Sequence, residues 1–152
     1  MPNILIKLPS GVLDTESRKR LGKDISEAAA KVERIPDDPK KHFLCWVAID
    51  EVAVGNWTCG GADVTDGIIP VIAVVNIPQG VLDHAARAEY VRAVHAVMVE
   101  SLSADARRVM TSCIVNEVAE GTWGANGAIW GLADFALHAG FAHLQDRLAM
   151  TA

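Results

Sequence analysis

Short apolar runs alternate along the chain with longer amphipathic segments. Residues 3–8 and 71–77 are rich in Ile, Leu and Val and end at turns that contain Pro and Gly, which predicts two β-strands. Two further apolar runs, at about residues 42–50 and 110–116, predict a second strand in each half. Apolar positions at helical spacing lie between the paired runs. The pattern therefore predicts two consecutive units, each in the order strand, helix, strand.

Acidic N-caps and apolar stripes predict the two helices. Asp14 and Asp83 stand where a carboxylate can accept hydrogen bonds from the free amides of a first helical turn. The segment from Ile35 to Lys41 contains two prolines and is expected to be a solvated turn without structure of its own. The apolar stripe of the first helix consists of Leu21, Ile25, Ala28, Ala29 and Val32. The equivalent positions 69 residues later are Tyr90, Val94, Val97, Met98 and Ser101.

Two motifs recur in the same order in both halves of the chain. PSGVLD at residues 9–14 returns as PQGVLD at 78–83, and EVAVGNW at 51–57 returns as EVAEGTW at 117–123. We interpret the chain as one domain, residues 1–152, made of two repeats at 1–66 and 69–129. The tail at 130–152 is predicted to support oligomerisation by packing across a neighbouring subunit.

The repeats predict an α/β fold. Each β-α-β unit is expected to close a parallel strand pair by a right-handed crossover. Two tandem units side by side would form one four-stranded sheet with two helices on one face. The opposite face would then be apolar and uncovered, which predicts partner subunits.

Composition and charge narrow the class of protein. The 152 residues are 51% apolar and 22% charged, and the net charge of -5 argues against nucleic acid as a partner. The uncharged run at 67–82 is too short to cross a bilayer and contains prolines, so no membrane partner is expected. Three cysteines without a CxxC pair and the lack of a secretory signal predict a cytoplasmic protein. We find no spacing typical of a metal site or a cofactor-binding loop, and expect neither.

The start Met1-Pro2, the repeated β-α-β unit and the hairpin motif EVAVGNWTCGG at residues 51–61 resemble the tautomerase superfamily. The hairpin resembles the C-terminal motif of 4-oxalocrotonate tautomerase, with Trp57 as its aromatic residue. The doubled length resembles the cis-3-chloroacrylic acid dehalogenase group. The resemblance covers roughly residues 2 to 128. It implies a tautomerase/MIF-like fold and a homotrimer, since a doubled chain supplies in three copies what short members supply in six.

The resemblance implies chemistry at Pro2. Removal of Met1 would leave Pro2 with a free secondary amine. An α-amino group titrates near ~8, and burial lowers its pKa because the charged form is disfavoured. A neutral amine can remove a proton as general base and return it elsewhere as acid. The leading hypothesis is a cofactor-independent tautomerase or isomerase. Its substrate would be a small molecule of the enol or oxo-acid type, and Pro2 would be catalytic.

The familiar substrate clamps of the family are replaced. The arginine positions of the tautomerases hold Val12 and Trp46 in the first repeat and Val81 and Ser112 in the second. The positions corresponding to the His, two Arg, Tyr and Glu of the dehalogenases are Ala29, Asn76, Gln79, Ile114 and Ala125. We predict instead that Asn76, Gln79 and Ser112 bind a carbonyl or enol oxygen of the substrate. Trp46, Trp57 and Trp123 are predicted to wall the pocket.

Two other functions remain open on the sequence. A protonated Pro2 could act as an acid in a hydratase, dehalogenase or decarboxylase. The missing arginines also allow a non-catalytic trimeric scaffold.

Overall fold

The computed structural model describes residues 2–141, 143 and 144. Along the chain its elements are β1 (Asn3–Pro9), α1 (Thr15–Val32), α2 (Pro39–His42), β2 (Trp46–Val52), β3 (Ile68–Pro78), α3 (His84–Ser101), β4 (Arg108–Val118), β5 (Trp123–Ala125), β6 (Ala128–Trp130) and α4 (Leu132–Ala139). The four long strands form one sheet in the order β2-β1-β3-β4. β1 is parallel to β2 and β3 to β4, while β1 and β3 run antiparallel at the centre. The predicted α/β fold is confirmed.

Both long helices cover one face of the sheet. Side chains at alternate positions of β1, such as Ile4 and Ile6, point to that face and are fully buried, as are Ile69 and Ile77 of β3. Helices α1 and α3 pack against each other above them. The predicted stripes are buried at Leu21, Ile25, Ala29 and Val32 and at Tyr90, Val94 and Met98, whereas Ala28, Val97 and Ser101 are only half-buried.

The sheet register repeats between the two halves. Asn3 of β1 pairs with Trp46 of β2, and Ile72 of β3 pairs with Ser112 of β4. These pairs are related by the same shifts, 69 residues for the first strand and 66 for the second, that relate the sequence motifs. Residues at equivalent places in the two repeats can therefore be compared directly.

Side-chain interactions repeat with the same shifts. The ion pairs Arg18–Glu51 (3.6 Å) and Arg87–Glu117 (2.7 Å) join each long helix to the second strand of its own repeat. The bridge Cys59–Ala62 corresponds to the pair Ala125–Ala128 between β5 and β6. The two halves therefore share side-chain interactions as well as the course of the backbone.

The two predicted N-caps are confirmed. Asp14 accepts a hydrogen bond from the Ser17 amide at 2.7 Å, and Asp83 accepts one from the Ala86 amide at 2.8 Å. These bonds stabilise the ionised form and hold the pKa of each carboxyl below its usual value. The turn before each cap places Gly11 or Gly80 at a φ of 83° or 89°, a conformation that favours glycine.

The segment before β2 differs from the sequence prediction. Pro39–His42 form the short helix α2, capped by Asp38, which accepts from the Lys40 amide at 2.9 Å. Pro39 suits the first helical turn because its missing N–H would be unpaired there anyway. Ile35 is buried. The segment from Ile35 to Lys41 is mostly exposed, as predicted, but the prediction that it has no structure of its own was wrong, and β2 begins at Trp46 rather than near 42.

The face of the sheet opposite the helices is apolar and open in the single chain. Leu5, Trp46, Met110 and Ile114 are 44–59% exposed there. In the C-terminal tail, Phe135, Ala136 and Ala139 of α4 are buried in the core of the same chain. Residues 142 and 145–152 of the predicted tail lie outside the described residues. No helix within the described part of the chain is long and apolar enough to cross a membrane.

Candidate active site

Pro2 lies buried at the edge of the helix–sheet core, immediately before β1. Its carbonyl accepts the Trp46 amide at 3.0 Å, which ties Pro2 to the start of β2. Since β1 and β2 are parallel, the connecting helix α1 must run back so that it ends near Pro2. β3 is antiparallel to β1, so it ends at the same edge, and α3 begins there. We call this edge of the sheet the Pro2 end.

A buried polar pair lies at the end of α1. Glu33, which caps α1, has no exposed surface and accepts the Tyr90 hydroxyl at 2.9 Å. Tyr90 is 1% exposed and belongs to the second turn of α3. The bond therefore links the helices of the two repeats where both approach the Pro2 end.

The titration of these groups is coupled to the amino terminus. Burial raises the pKa of Glu33, while the positive amino terminus, which in the chain before processing is the α-amine of Met1, and the Tyr90 hydrogen bond act against that rise. Burial and the charge of Glu33 raise the pKa of Cys45, which precedes Trp46, to about 11, and the amino terminus again acts in the opposite direction. Burial and the same carboxyl raise the pKa of Tyr90. Glu33, Tyr90, Cys45 and the amino terminus thus form one electrostatic group.

A row of carboxamides crosses the sheet beside Pro2, on the open face. Asn76 donates to the Asn3 carbonyl at 3.3 Å, and Asn116 donates to the Asn76 side-chain oxygen at 3.2 Å. The three residues are register partners on β1, β3 and β4. Asn76, predicted as a substrate-binding residue, lies at the Pro2 end. Asn116 completes the row and was missed, because its place beside Asn76 depends on the strand register.

Three other predicted site residues lie at the Pro2 end or in the β5–β6 hairpin that follows β4. The Trp46 side chain is 59% exposed on the open face. Gln79 is exposed in the turn after β3, where its backbone amide donates to the Val118 carbonyl at 3.0 Å. Trp123 packs edge-on against Phe135, with ring centroids 5.2 Å apart, and so helps to hold α4.

Trp57 and Ser112 lie together, but at the opposite edge of the sheet. Both line a cavity of about 630 Å³ formed with the first residues of β3 and β4, including Pro70 and Met110. The repeat relates Val71 in this cavity to Pro2. A single chain therefore does not bring Trp57 or Ser112 to Pro2.

An arginine that the sequence reasoning missed lies at the Pro2 end. Arg34 follows Glu33 and lines a cavity of about 290 Å³ with Gly80, Val81 and the α3 cap Asp83. Its φ is 54°, in the left-handed region that residues other than glycine seldom adopt. Among the described residues, no cluster of three or more His, Cys, Asp or Glu is placed to hold a metal ion.

A periodicity signal for Glu33 was available in the sequence. The position lies four residues after Ala29 and so continues the apolar stripe of α1 with a carboxylate. Tyr90, the single tyrosine of the chain, opens the equivalent stripe of α3. A carboxylate and a phenol on facing stripes are the residue types that a buried hydrogen bond requires.

The same fold occurs in solved structures, although no family model and no curated protein sequence matches the chain. The structure of N1, a member of the cis-3-chloroacrylic acid dehalogenase (cis-CaaD) family, has a TM-score of 0.70 and 15% identity, covering 98% of this chain and 96% of that one. R7 fused 4-OT, a wild-type asymmetric trimer, has a TM-score of 0.68 and 17% identity, covering 89% and 98%. Pt0534 inactivated by 2-oxo-3-pentynoate has a TM-score of 0.67 and 18% identity, covering 86% and 98%. The chain therefore has the expected tautomerase-like fold.

Proposed function

We propose that the chain is a tautomerase-superfamily enzyme that moves a proton on a small enol or oxo acid without a cofactor, with Pro2 as general base. After removal of Met1, the secondary amine of Pro2 takes the hydroxyl proton of an enol and returns a proton to carbon, so atoms balance without a co-reactant. The supporting observation is the buried position of Pro2 at the start of β1, on the fold shared with fused 4-OT. Burial disfavours the ammonium and favours the basic form.

The substrate is proposed to lie beside the carboxamide row and Arg34. Asn76 and Gln79 supply donors for a carbonyl or enol oxygen at the Pro2 end. Arg34 has the guanidinium that can bind a substrate carboxylate through two hydrogen bonds, a role that the predicted arginine positions have lost. The exposed Trp46 walls the pocket from the open face of the sheet.

A homotrimer is proposed as the working form. The open sheet face exposes Leu5, Met110 and Ile114, which a neighbouring subunit would bury. R7 fused 4-OT is a trimer, which supports this assembly. Ser112 and Trp57, at the far edge of their own sheet, can act at a Pro2 pocket only in a neighbouring subunit. The repeat relates Trp57 to Trp123, so we assign to Trp123 the wall of the pocket nearest Pro2 in its own chain. The three free cysteines suit a cytoplasmic location.

The decisive experiment compares two proline variants. The probe is the enol form of phenylpyruvate, whose conversion to the keto form is followed by the loss of ultraviolet absorbance. Pro2→Ala should lower kcat/KM roughly 100-fold, within the usual contribution of a general base, with an unchanged circular dichroism spectrum. Pro36→Ala, at an exposed loop position, is the matched control and should retain full turnover. Equal turnover in both variants, at a rate above the uncatalysed one, would exclude Pro2 as the base.

Covalent labelling tests the amine independently of turnover. The inactivator of Pt0534, 2-oxo-3-pentynoate, is an acetylenic ketone. The Pro2 nitrogen would form a C–N bond at the alkyne carbon remote from the carbonyl, while one alkyne π bond breaks and the adjacent carbon takes up a proton. Peptide mass mapping should place one adduct on the N-terminal peptide. Adducts confined to the exposed Cys59 would contradict a nucleophilic Pro2 amine.

A second candidate is favoured by the Glu33 carboxyl. An ionised carboxylate near the amine stabilises the ammonium, which is the form that a hydratase, dehalogenase or decarboxylase would use as acid. The pH dependence of turnover separates the two candidates. A rate that rises with pH through the Pro2 titration indicates the base, and a rate that falls indicates the acid. A protein inert toward both substrate classes would be the trimeric scaffold.

A further inference from the structure

Glu33 is the single charged residue that is fully buried in the described part of the chain. Burying a carboxyl is costly unless it is hydrogen-bonded or paired with a charge. Tyr90 supplies a hydrogen bond at 2.9 Å, and the amino terminus of the chain before removal of Met1 supplies a positive charge. A replacement of both partners by apolar residues of similar size would be close to neutral for stability. Stability alone therefore gives no reason for this pair.

The second repeat contains that apolar replacement. A shift of 69 residues relates Tyr90 to Leu21 and Glu33 to Leu102. Both leucines are buried, with 0% and 2% of their surface exposed. The fold therefore accepts a leucine pair at this place between the helices. The polar pair lies at the end where Pro2 immediately precedes the first strand, whereas the equivalent of Pro2 in the other repeat is Val71, inside a strand.

Electrostatic coupling between two groups acts equally on both. In the chain that retains Met1, the amino-terminal charge stabilises the ionised form of Glu33, so the carboxylate stabilises that charge by the same free energy. Removal of Met1 would transfer the amino terminus to the buried Pro2, at the end of the sheet where α1 ends with Glu33 as its cap. Burial acts on the amine in the opposite direction. A general base works best when it titrates near the working pH, so an amine weakened by burial alone would be a poor base.

We propose that Glu33, held in place by Tyr90, is a positioning residue that makes the buried Pro2 amine a stronger base than burial alone would leave. When Pro2 takes a proton from the substrate, the Glu33 carboxylate would stabilise the new ammonium while the Tyr90 hydroxyl holds that carboxylate in place. This inference rests on the proposed function, because it assigns the pair a role in Pro2 chemistry.

Two thiols of the described residues, Cys45 and Cys113, act electrostatically on the pair. Tyr90 approaches from α3 and Cys45 lies in the segment before β2, and while Met1 is present its amine acts electrostatically on both Glu33 and Cys45. Cys113 of β4 acts electrostatically on Tyr90. Since burial keeps both thiols protonated at neutral pH, the coupling that matters there is between Glu33 and the amine.

The test is a titration of the Pro2 amine by nitrogen NMR, in protein labelled at proline and shown by intact mass to lack Met1. Glu33→Gln should lower the amine pKa by roughly one unit or more, a tenfold loss of proton affinity, and should shift the acidic limb of the kcat/KM profile equally. Glu33→Asp should restore part of the shift. Glu27→Gln, an exposed position on the same helix, is the control and should leave the titration unchanged.

Two outcomes would overturn the proposal. The first is an amine titration in Glu33→Gln that equals the wild-type one. If Glu33→Gln does not fold, the same titration is made in Tyr90→Phe. The second outcome is an amine titration in Tyr90→Phe that equals the wild-type one. The NMR titration needs no substrate, so this result is independent of turnover. Full activity in Pro2→Ala would refute the proposed function, whereas an unmoved Pro2 titration would refute only the role of Glu33.

Discussion

The Tyr90 hydroxyl donates to the Glu33 carboxyl at 2.9 Å in a place where both side chains are sealed from water. The two residues are 57 positions apart and belong to different repeats. Their bond joins the end of α1 to the beginning of α3 and lies at the Pro2 end of the sheet. The same hydrogen bond thus connects the two repeats and forms part of the surroundings of the proposed catalytic amine.

The first prediction concerns stability and pH. Burial raises the pKa of Glu33 above its ordinary value of 4.5, so the folded state binds this proton more tightly than the unfolded state. The contribution is fully present below pH 4.5 and is lost as pH rises through the folded pKa. The free energy of unfolding should therefore fall with rising pH above that value, by at most about 1.4 kcal/mol per pH unit for one proton. Urea titrations should show that Glu33→Gln removes this slope, and an unaltered slope would contradict the assignment.

The second prediction concerns the Tyr90 hydroxyl. Tyr90→Phe keeps the buried ring but leaves the Glu33 oxygen without this donor, which should cost about 1–3 kcal/mol. Because the two residues interact, the double variant with Glu33→Gln should be less destabilised than the sum of the single variants. Unfolding by urea in the four proteins measures this coupling. Strict additivity would show that the bond contributes nothing to the folded state.

The third prediction concerns substrate binding. Arg34→Gln should raise KM for a carboxylate-bearing enol roughly tenfold, since a charge-assisted bond is lost, with little change in kcat. Arg20→Gln, an exposed position on α1, is the control and should leave both constants unchanged. A fall in kcat at constant KM would instead place Arg34 in the reaction step. The same KM and kcat in Arg34→Gln and Arg20→Gln would show that Arg34 does not bind the substrate.

The fourth prediction concerns assembly. Ile114 is 48% exposed on the open sheet face, so Ile114→Asp would place a charge in the proposed subunit contact. Light scattering should then show a monomer where the parent protein is a trimer. Val99 is 43% exposed on α3, which covers the other face of the sheet, and Val99→Asp should leave the mass unchanged. A parent protein that is itself monomeric would refute the trimer.

Most of the fold could be predicted from the sequence, because it depends on local periodicity that recurs in both repeats. The apolar stripes, the caps Asp14 and Asp83 and the repeated motifs each report local structure, and together they predict the sheet and both helices. Helix α2 was missed because a proline at a first helical position resembles a loop in the sequence. Its cap, Asp38, is preceded by another Asp and gives no distinct signal.

The candidate site was less predictable for a physical reason. Periodicity places Glu33 and Tyr90 on the buried stripes of their helices, but their hydrogen bond depends on how the two helices pack, and the Asn76–Asn116 bond depends on the strand register. The repeat also misleads in one respect. Trp57 and Trp123 occupy equivalent motif positions, but Trp57 lines a cavity and Trp123 packs on Phe135, because α4 follows only the second hairpin.

The central claim is that the Pro2 amine is a neutral base at working pH. The most direct measurement is its pKa in the wild-type protein, by nitrogen NMR after intact mass has confirmed the loss of Met1. Burial should outweigh the Glu33 charge, so the account predicts a value below the ordinary α-amino value of about 8. A value above it would show that Pro2 is protonated at neutral pH, which contradicts the general base and leaves the acid mechanism or an inert scaffold.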